Sequence, residues 1–280
     1  MEHGLAFGTK EWAPYNFNFM NGCSNDCAYC YAKDMAIRFK RKTPESWKVE
    51  EPVKMGKKSF GKRKGPIMVP SSHDITPGNI DLAVEVFGKL LASGNELLVV
   101  TKPNLECIKL ICDTFAGENI RFRFTIGSVD DAVLKLWEPG APCFADRLES
   151  LRYAFGKGFS TSISCEPLLD EKFDDLYRQV EPYVTDSIWV GKMNMARKRV
   201  RDNTEGCFPM GAVEKLIESQ RDEKIIGLYR KYKDCPKIQW KESIKKVVLT
   251  HNLASTEDLQ HQTMSVVGVG LYQPVRLCEA

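Results

Sequence analysis

Short apolar runs rich in β-branched and aromatic residues recur along this 280-residue chain, and stretches of helical periodicity separate them. Such an alternation of strands and helices is typical of parallel βα units. The runs that predict strands lie within residues 15–21, 66–72, 96–102, 121–128, 159–166 and 186–192. They predict an α/β protein built as an open, partial (β/α)6 barrel of the TIM type.

Helices predicted between and after these strands complete the barrel. Their patterns cover residues 32–41, 79–92, 104–116 and 211–232. A short additional strand is predicted at 245–250. We expect residues 1–200 to form the barrel core and residues 201–280 to form a helical extension packed on it. The polar tail ends in an apolar stretch, MSVVGVGLYQPV, at 264–275.

The fifth predicted strand alternates polar and apolar side chains, which therefore point to opposite faces of the sheet. The apolar set must meet helices outside the barrel, so the polar set should point into it. The inward set comprises Ser160, Ser162, Ser164 and Glu166. Ser164 and Glu166, nearest the carboxyl end of the strand, are predicted to face a cavity there.

Polar residues also follow the other predicted strands, at the edge where barrels of this type gather their reactive groups. Ser72, His73 and Asp74 follow the second strand, Lys102 follows the third, and Ser128 follows the fourth. Together they offer hydroxyls, a carboxylate and a cation to a ligand. His73 has two interpretations: a hydrogen-bonded loop residue, or a neutral imidazole that transfers protons near physiological pH.

Three cysteines directly after the first predicted strand carry the most specific signal. Cys23, Cys27 and Cys30 have the spacing Cys-x3-Cys-x2-Cys. Three thiolates can hold three irons of a [4Fe–4S] cube and leave the fourth iron open, whereas four thiolates complete an electron-transfer cluster. Zinc sites usually pair cysteines twice, and no second such pair follows. A structural zinc site and plain buried thiols remain as alternatives.

Composition is that of a globular chain, with 43% apolar residues and no apolar run near the roughly 20 residues that cross a membrane. Ten cysteines and no recognisable signal peptide favour reduced thiols, so we expect a cytoplasmic protein without membrane contact. The formal net charge is +3. Basic runs at 57–65 and 197–201, expected to flank the barrel mouth, are either phosphate contacts or solvated loops.

The cysteine motif, with the aromatic Tyr29 just before its third cysteine, resembles that of radical S-adenosylmethionine (SAM) enzymes. Further segments are similar to the spore photoproduct lyase-like branch, also called DNA repair photolyase-like, and the similarity spans roughly residues 15–195. These segments are SSHDITPG (71–78), VVTKPN (99–104), TIGSVDDAVLKLWEPGAP (125–142), RLESL (147–151) and SISCEPLLD (162–170).

This resemblance implies a partial TIM barrel that binds one [4Fe–4S] cluster through the three cysteines, together with SAM. It also implies a partner that donates electrons, such as flavodoxin or ferredoxin. Reductive cleavage of SAM would give a 5′-deoxyadenosyl radical that abstracts a hydrogen atom from the substrate. The expected cofactor-binding residues are Tyr29 near the adenine, Ser72, Lys102 and Ser128 at the methionine part, and the cavity-facing Ser164 and Glu166.

One departure from the true lyases concerns their hydrogen-atom donor, a cysteine near the second strand. Ser71 occupies that place here, and its O–H bond is much harder to break homolytically than an S–H bond. Three hypotheses follow: hydrogen abstraction from a nucleobase, nucleotide or nucleic acid; radical modification of a peptide or small metabolite; and a non-catalytic iron–sulfur protein. Membership of a fold family does not choose among them.

Overall fold

A computed structural model describes residues 8–54, 60–255 and 258–259. Its strands are β1 (Tyr15–Asn16), β2 (Met20–Asn21), β3 (Glu51–Pro52), β4 (Ile67–Val69), β5 (Leu97–Thr101), β6 (Ile120–Thr125), β7 (Ser160–Cys165), β8 (Ile188–Val190) and β9 (Ile238–Trp240). Seven of them form one sheet in the order β1-β4-β5-β6-β7-β8-β9. Every neighbouring pair in this sheet is parallel.

The sheet is open, because β1 and β9 stand at its two edges and do not pair with each other. The predicted α/β partial barrel is therefore confirmed, with one strand more than expected. The first predicted strand is divided, since only β1 joins the large sheet, whereas β2 pairs antiparallel with β3.

Helices follow most strands and cover the sheet. They are α1 (Tyr31–Arg38), α2 (Ile80–Ala92), α3 (Leu105–Thr114), α4 (Asp131–Trp137), α5 (Phe144–Gly156), α6 (Phe173–Val180), α7 (Ala196–Asn203), α8 (Met210–Ser219), α9 (Asp222–Tyr232) and α10 (Glu242–Thr250). Short 3-10 helices lie at Gly8–Glu11, Ser46–Lys48 and Glu181–Tyr183. Within the described residues, none of the helices combines the length and the apolar composition that crossing a bilayer requires.

The main apolar core lies between the outer face of the sheet and the helices. Ile163 and Cys165 of β7 belong to it, together with Phe87 of α2 and Leu151 of α5. The alternate residue Ser162 points the other way and accepts a hydrogen bond from Arg123 Nε at 3.0 Å. The expected alternation of polar and apolar side chains along this strand is thus confirmed.

Two predicted elements are wrong. Residues 245–250, expected as a strand, lie in α10, where Ile244, Val247 and Val248 are buried at helical spacing. The long helix expected at 211–232 is two helices, α8 and α9, which meet at Gln220 and Arg221. The apolar stretch at 264–275 lies outside the described residues.

Candidate functional site

The three cysteines of the motif line one cavity of about 750 Å³ at the carboxyl ends of the strands. Cys23 and Cys27 are buried, and Cys30 is partly exposed. The cavity wall also contains residues that follow β4, β5, β7, β8 and β9. In this parallel sheet all those strand ends meet at one edge, which is why a sequence-dispersed set of polar groups converges here.

Close backbone packing fixes the start of the cysteine loop. Gly22 has a φ of +111°, and a Cβ there would lie 2.2 Å from the carbonyl oxygen of Val49. The amide of Cys23 donates to the carbonyl of Trp47 at 2.9 Å. No L side chain fits this approach, so the loop requires glycine at this position.

The end of the same loop is held by a residue far along the chain. The side-chain amide of Asn203, which is fully buried at the end of α7, donates to the carbonyls of Ala28 and Cys30, both at 2.9 Å. The amide of Ala28 in turn donates to the carbonyl of Trp137 at 2.9 Å. The positions of the cysteines therefore depend on elements 100 or more residues away in sequence.

Helix α1 begins at the third cysteine. The Sγ atom of Cys30 caps it and accepts the amide of Lys33 at 3.4 Å. Burial raises the pKa of all three thiols above the ordinary value, although the nearby Lys102 acts to lower the pKa of Cys27 and Cys30. Thiolates are the metal-binding form, so metal binding must displace these protons.

The three cysteine thiols fit a [4Fe–4S] cube better than a single metal ion. Across the described residues, no group of three or more His, Cys, Asp or Glu side chains converges closely enough to hold one metal ion. A [4Fe–4S] cube does not demand such convergence, because each thiolate binds its own iron. Three thiols facing a shared cavity satisfy that requirement.

His73 lies beside the cysteine loop and binds the backbone that leads into it. Its Nε2 atom accepts the amides of Phe19 and Met20 at 3.3 and 3.2 Å, and its Nδ1 atom lies 3.1 Å from the carbonyl of Asp74. Burial lowers the pKa of His73, which agrees with a neutral ring that accepts at Nε2 and donates at Nδ1. Both nitrogens are engaged, so the structure favours the hydrogen-bonded loop residue over a proton carrier.

Asp74 connects the ends of β4 and β5 to the cysteine loop. Its carboxylate accepts the amide of Lys102 at 2.7 Å, the hydroxyl of Thr101 at 3.1 Å and the side-chain amide of Asn25 at 2.9 Å. Burial acts to raise the pKa of Asp74, but Lys102 and these hydrogen bonds bring it below the usual value. The buried carboxylate is therefore ionised and opposes the Lys102 ammonium, 3.4 Å away.

Five of the six predicted cofactor-binding residues line the cysteine cavity: Tyr29, Ser72, Lys102, Ser164 and Glu166. Ser128 does not line it. Its hydroxyl donates to Asp170 and accepts the amide of Asp130 at 2.8 Å, at the start of α4. Ser164, by contrast, is buried and its hydroxyl has no hydrogen-bond partner among the described atoms.

Tyr29 is anchored by a buried ion pair. Its hydroxyl donates to Glu138, whose carboxylate lies 2.6 Å from the guanidinium of Arg147, and both charged side chains are 0% exposed. Burial, reinforced by Glu138, raises the pKa of Tyr29, so the phenol stays neutral. The ammonium of Lys102 lies 5.7 Å from the centre of the Tyr29 ring.

Sequence reasoning missed Lys241, which follows β9 and lines the cavity. Its ammonium lies 3.1 Å from Glu166 Oε2 and 3.0 Å from Glu11 Oε1, over the ring of Trp12 at 4.2 Å. Burial raises the pKa of Glu166 and Lys241 opposes that effect. The only sequence signal for Lys241 is its place after β9, a strand of three residues that periodicity does not reveal.

One basic run does not lie where it was expected. Residues 57–59 are outside the described part of the chain, and residues 60–65 precede β4, at the amino ends of the strands. The amide of Arg63 donates to Asn95, which precedes β5, at 2.8 Å. For residues 60–65, the prediction that this run flanks the barrel mouth is wrong, because they lie at the opposite end of the sheet.

The second basic run, 197–201, lies on α7 and is largely paired. Arg197 pairs with a carboxylate on α8, Lys198 with two carboxylates and Arg201 with one. Arg199 lines the cavity and has no carboxylate partner among the described residues. Only this member of the run presents an uncompensated cation to the site.

Fold and site together define a partial TIM-type barrel with a three-thiol cofactor site at the carboxyl ends of its strands. Residues 17–179, more than half of the chain, match the sequence model of the Radical SAM superfamily, and the chain belongs to this superfamily. Members of this superfamily are radical SAM enzymes, whose cofactors are a [4Fe–4S] cluster and SAM. Enzymes of this superfamily need a donor of electrons. No curated protein sequence matches the chain.

Solved structures with a similar fold include spore photoproduct lyase and SuiB. Spore photoproduct lyase complexed with dinucleoside spore photoproduct is 20% identical, with a TM-score of 0.51 over 74% of this chain and 65% of that one. SuiB of Streptococcus suis bound to S-adenosylmethionine is 9% identical, with a TM-score of 0.50 over 88% and 55%. SuiB bound to precursor peptide SuiA is 10% identical, with a TM-score of 0.50 over 91% and 56%.

These likenesses concern the fold alone, since identities are low. The chain spans about 65% of the length of the spore photoproduct lyase structure.

Proposed function

We propose that this radical SAM enzyme abstracts a hydrogen atom from a substrate that carries a nucleobase, namely a nucleotide or a nucleic acid. The observation that carries the proposal is the pairing of an aromatic ring with an unpaired cation at the cavity. Tyr31 is 42% exposed directly after Cys30, and Arg199 lines the same cavity. Exposed aromatic and guanidinium planes are the groups on which proteins stack bases.

Fold likeness is consistent with this substrate class. The spore photoproduct lyase structure, which has a similar fold, contains a dinucleoside spore photoproduct. The two cofactors, when bound, supply a 5′-deoxyadenosyl radical. In this chain Cys23, Cys27 and Cys30 would hold the cluster.

The residues proposed to bind SAM are those that line the cavity beside the cysteines. Lys102 and Ser72 would contact the methionine part, and the unpartnered hydroxyl of Ser164 would find its partner there. Glu166, held by Lys241, would accept ribose hydroxyls. Tyr29 would pack near the adenine. Ser128 is left out of the proposed contacts because its hydroxyl is engaged by Asp170 and Asp130.

Repair of a thymine dimer is not part of the proposal. In the described part of the chain, the thiols that line the cavity are those of the motif. Ser71, which stands in place of the donor cysteine, accepts a hydrogen bond from the side-chain amide of Asn18 at 3.0 Å, and its hydroxyl donates to Asn18 Oδ1 at 3.3 Å. A strong O–H bond held in this way does not return a hydrogen atom to a base radical.

A second candidate, a peptide or small-metabolite substrate, is favoured by the charge distribution. Three cations of the 197–201 run are neutralised by carboxylates. The described part of the other basic run lies at the opposite end of the barrel. These two basic runs therefore leave little free positive charge at the mouth for a long phosphate backbone.

The test is the release of 5′-deoxyadenosine from SAM by reduced protein in the presence of DNA, RNA, nucleotides or a peptide panel. We expect stimulation by nucleobase-bearing compounds, weaker in Tyr31→Ser than in Tyr31→Phe, which keeps the ring. Arg199→Gln should weaken this stimulation as well. The matched control is Arg197→Gln, which removes a cation that is already paired with a carboxylate. Stimulation by peptides alone, or equal effects of the two arginine variants, would contradict the proposal.

A further inference from the structure

We propose that the exposed side of helix α1 docks a small acidic protein that carries one electron, of the flavodoxin or ferredoxin type. The surface consists of Met35, Arg38, Phe39, Lys40 and Arg41, here named the α1 face. The inference rests on the proposed function, because a carrier is needed only where the cysteines hold a reducible cluster. One electron would leave the reduced carrier and enter the cluster, and no covalent bond in this chain would change.

The α1 face exposes two large apolar side chains close together in the sequence. Met35 is 39% exposed and Phe39 is 57% exposed, four residues apart and thus on the same side of the helix. Methionine, aromatic residues and arginine are the residue types enriched in protein–protein interfaces. An apolar centre with arginine beside it matches that composition, and Arg38 lies 5.7 Å from the centre of the Phe39 ring.

Positive charge on this surface is uncompensated. Arg38, Lys40 and Arg41 are exposed, and no carboxylate pairs with them among the described residues. The neighbouring Lys42 differs, since it lies 2.7 Å from Glu51. The cations of α7 differ as well, since Arg197 and Lys198 pair with carboxylates. Free cations around an apolar centre complement an acidic protein surface and would speed its association.

The α1 face lies close to the cluster site but outside the cavity. Helix α1 starts directly after Cys30, and its Ala32 and Ala36 pack against Cys23 and Trp47. The eight residues of the helix span about 12 Å, and Phe39, Lys40 and Arg41 directly follow its last residue, so the face lies about one helix length from Cys30. Electron transfer weakens steeply with distance, which favours a carrier at this position.

None of the five residues of the α1 face lines the cavity. A carrier bound there would leave the cavity open to SAM and substrate, so reduction and substrate binding need not compete. Encounter complexes of electron carriers are small, below about 1,200 Å² in total buried area, and a single helix face can supply one side of such a contact.

A nucleic acid could also use exposed cations on this helix. The apolar pair at the centre favours a protein, because phosphate contacts require only positive charge and hydrogen-bond donors. Nucleic-acid binding by the α1-face variants is therefore measured separately.

Reductant dependence of SAM cleavage tests the proposal. 5′-Deoxyadenosine formation is measured with reduced flavodoxin and, separately, with dithionite, which needs no docking surface. Two variants probe the α1 face: Met35→Ser with Phe39→Ser, and Arg38→Gln with Lys40→Gln and Arg41→Gln. The charge-matched control is Lys62→Gln with Arg63→Gln and Lys64→Gln, at the opposite end of the barrel. The apolar control is Leu110→Ser on α3, which is 44% exposed.

We expect both α1-face variants to lose at least about tenfold in flavodoxin-supported rate at limiting flavodoxin, which corresponds to about 1.4 kcal/mol. Their dithionite-supported rates should equal that of the unaltered protein, and both controls should be unchanged. Added salt should reduce the flavodoxin-supported rate of the unaltered protein. The difference between this rate and that of the charge variant should therefore become smaller.

Three results would overturn the docking proposal: equal losses in the α1-face variants and the controls, an equal loss with dithionite, or loss of nucleic-acid binding with full support by flavodoxin. The absence of SAM cleavage with either reductant in the unaltered protein would instead overturn the proposed function. The two failures are therefore distinguishable.

Discussion

Glu138 and Arg147 form a fully buried ion pair. This pair positions the ring of Tyr29, which directly precedes the third cysteine. Both side chains are 0% exposed, and Glu138 also accepts the hydroxyl of Tyr29. Burial acts to lower the pKa of Arg147, but the carboxylate beside it raises it, so the guanidinium stays charged. Desolvating two charges is costly, and removal of one partner leaves the other unpaired.

We predict that Arg147→Met destabilises the protein by about 3–5 kcal/mol, because it leaves the Glu138 carboxylate buried without a cation. The matched control is Arg152→Met on the same helix, where the exposed pair with Glu149 contributes little. Urea unfolding of the two cluster-free variants provides the measurement. Equal stability of the two variants would show that the buried pair does not hold Tyr29 in place.

At the scale of elements, the cysteine loop depends on a close approach between two backbone segments. Gly22 packs against the carbonyls of Val49 and Trp47, which a Cβ would meet at 2.2 and 2.7 Å. Backbone atoms cannot move aside as a flexible side chain can. The glycine is therefore required for its lack of a side chain as well as for its positive φ.

Gly22→Ala should destabilise the protein by more than about 4 kcal/mol and prevent cluster retention, since either the loop or residues 47–49 must shift. Gly117→Ala is the control, because Gly117 also has a positive φ, +79°, but nothing lies within 4 Å of its added Cβ. The free energy of unfolding of Gly117→Ala should fall by only about 1–2 kcal/mol. Iron content after anaerobic reconstitution reports the difference, and full iron in Gly22→Ala would refute the argument.

Sequence patterns predicted six of the seven strands of the large sheet and missed β9. The polar ends of β5 and β7 identified Lys102, Ser164 and Glu166 as cavity residues, whereas Ser128, which follows β6, does not line the cavity. β9 has three residues and gives no periodicity, so Lys241 behind it went unnoticed. The apolar run in α10 suits a strand or a helix, and only packing decides between them.

At the scale of the whole molecule, the cavity is completed by chain outside the part that matches the superfamily. That match covers residues 17–179. Trp12 lies before it, whereas Arg199 and Lys241 lie after it, and all three line the cavity. No sequence motif identifies such residues, because they reach the cavity only when segments far apart in the sequence pack together in the fold. We expect substrate choice to depend on this outer wall.

SAM cleavage by anaerobically reconstituted, dithionite-reduced protein tests the central claim most directly. We predict 5′-deoxyadenosine from the unaltered protein and from Cys143→Ser, whose thiol is exposed and outside the cavity lining, but none from Cys27→Ala. Formation of 5′-deoxyadenosine by Cys27→Ala, or its absence from unaltered protein that carries an intact cluster and bound SAM, would contradict it.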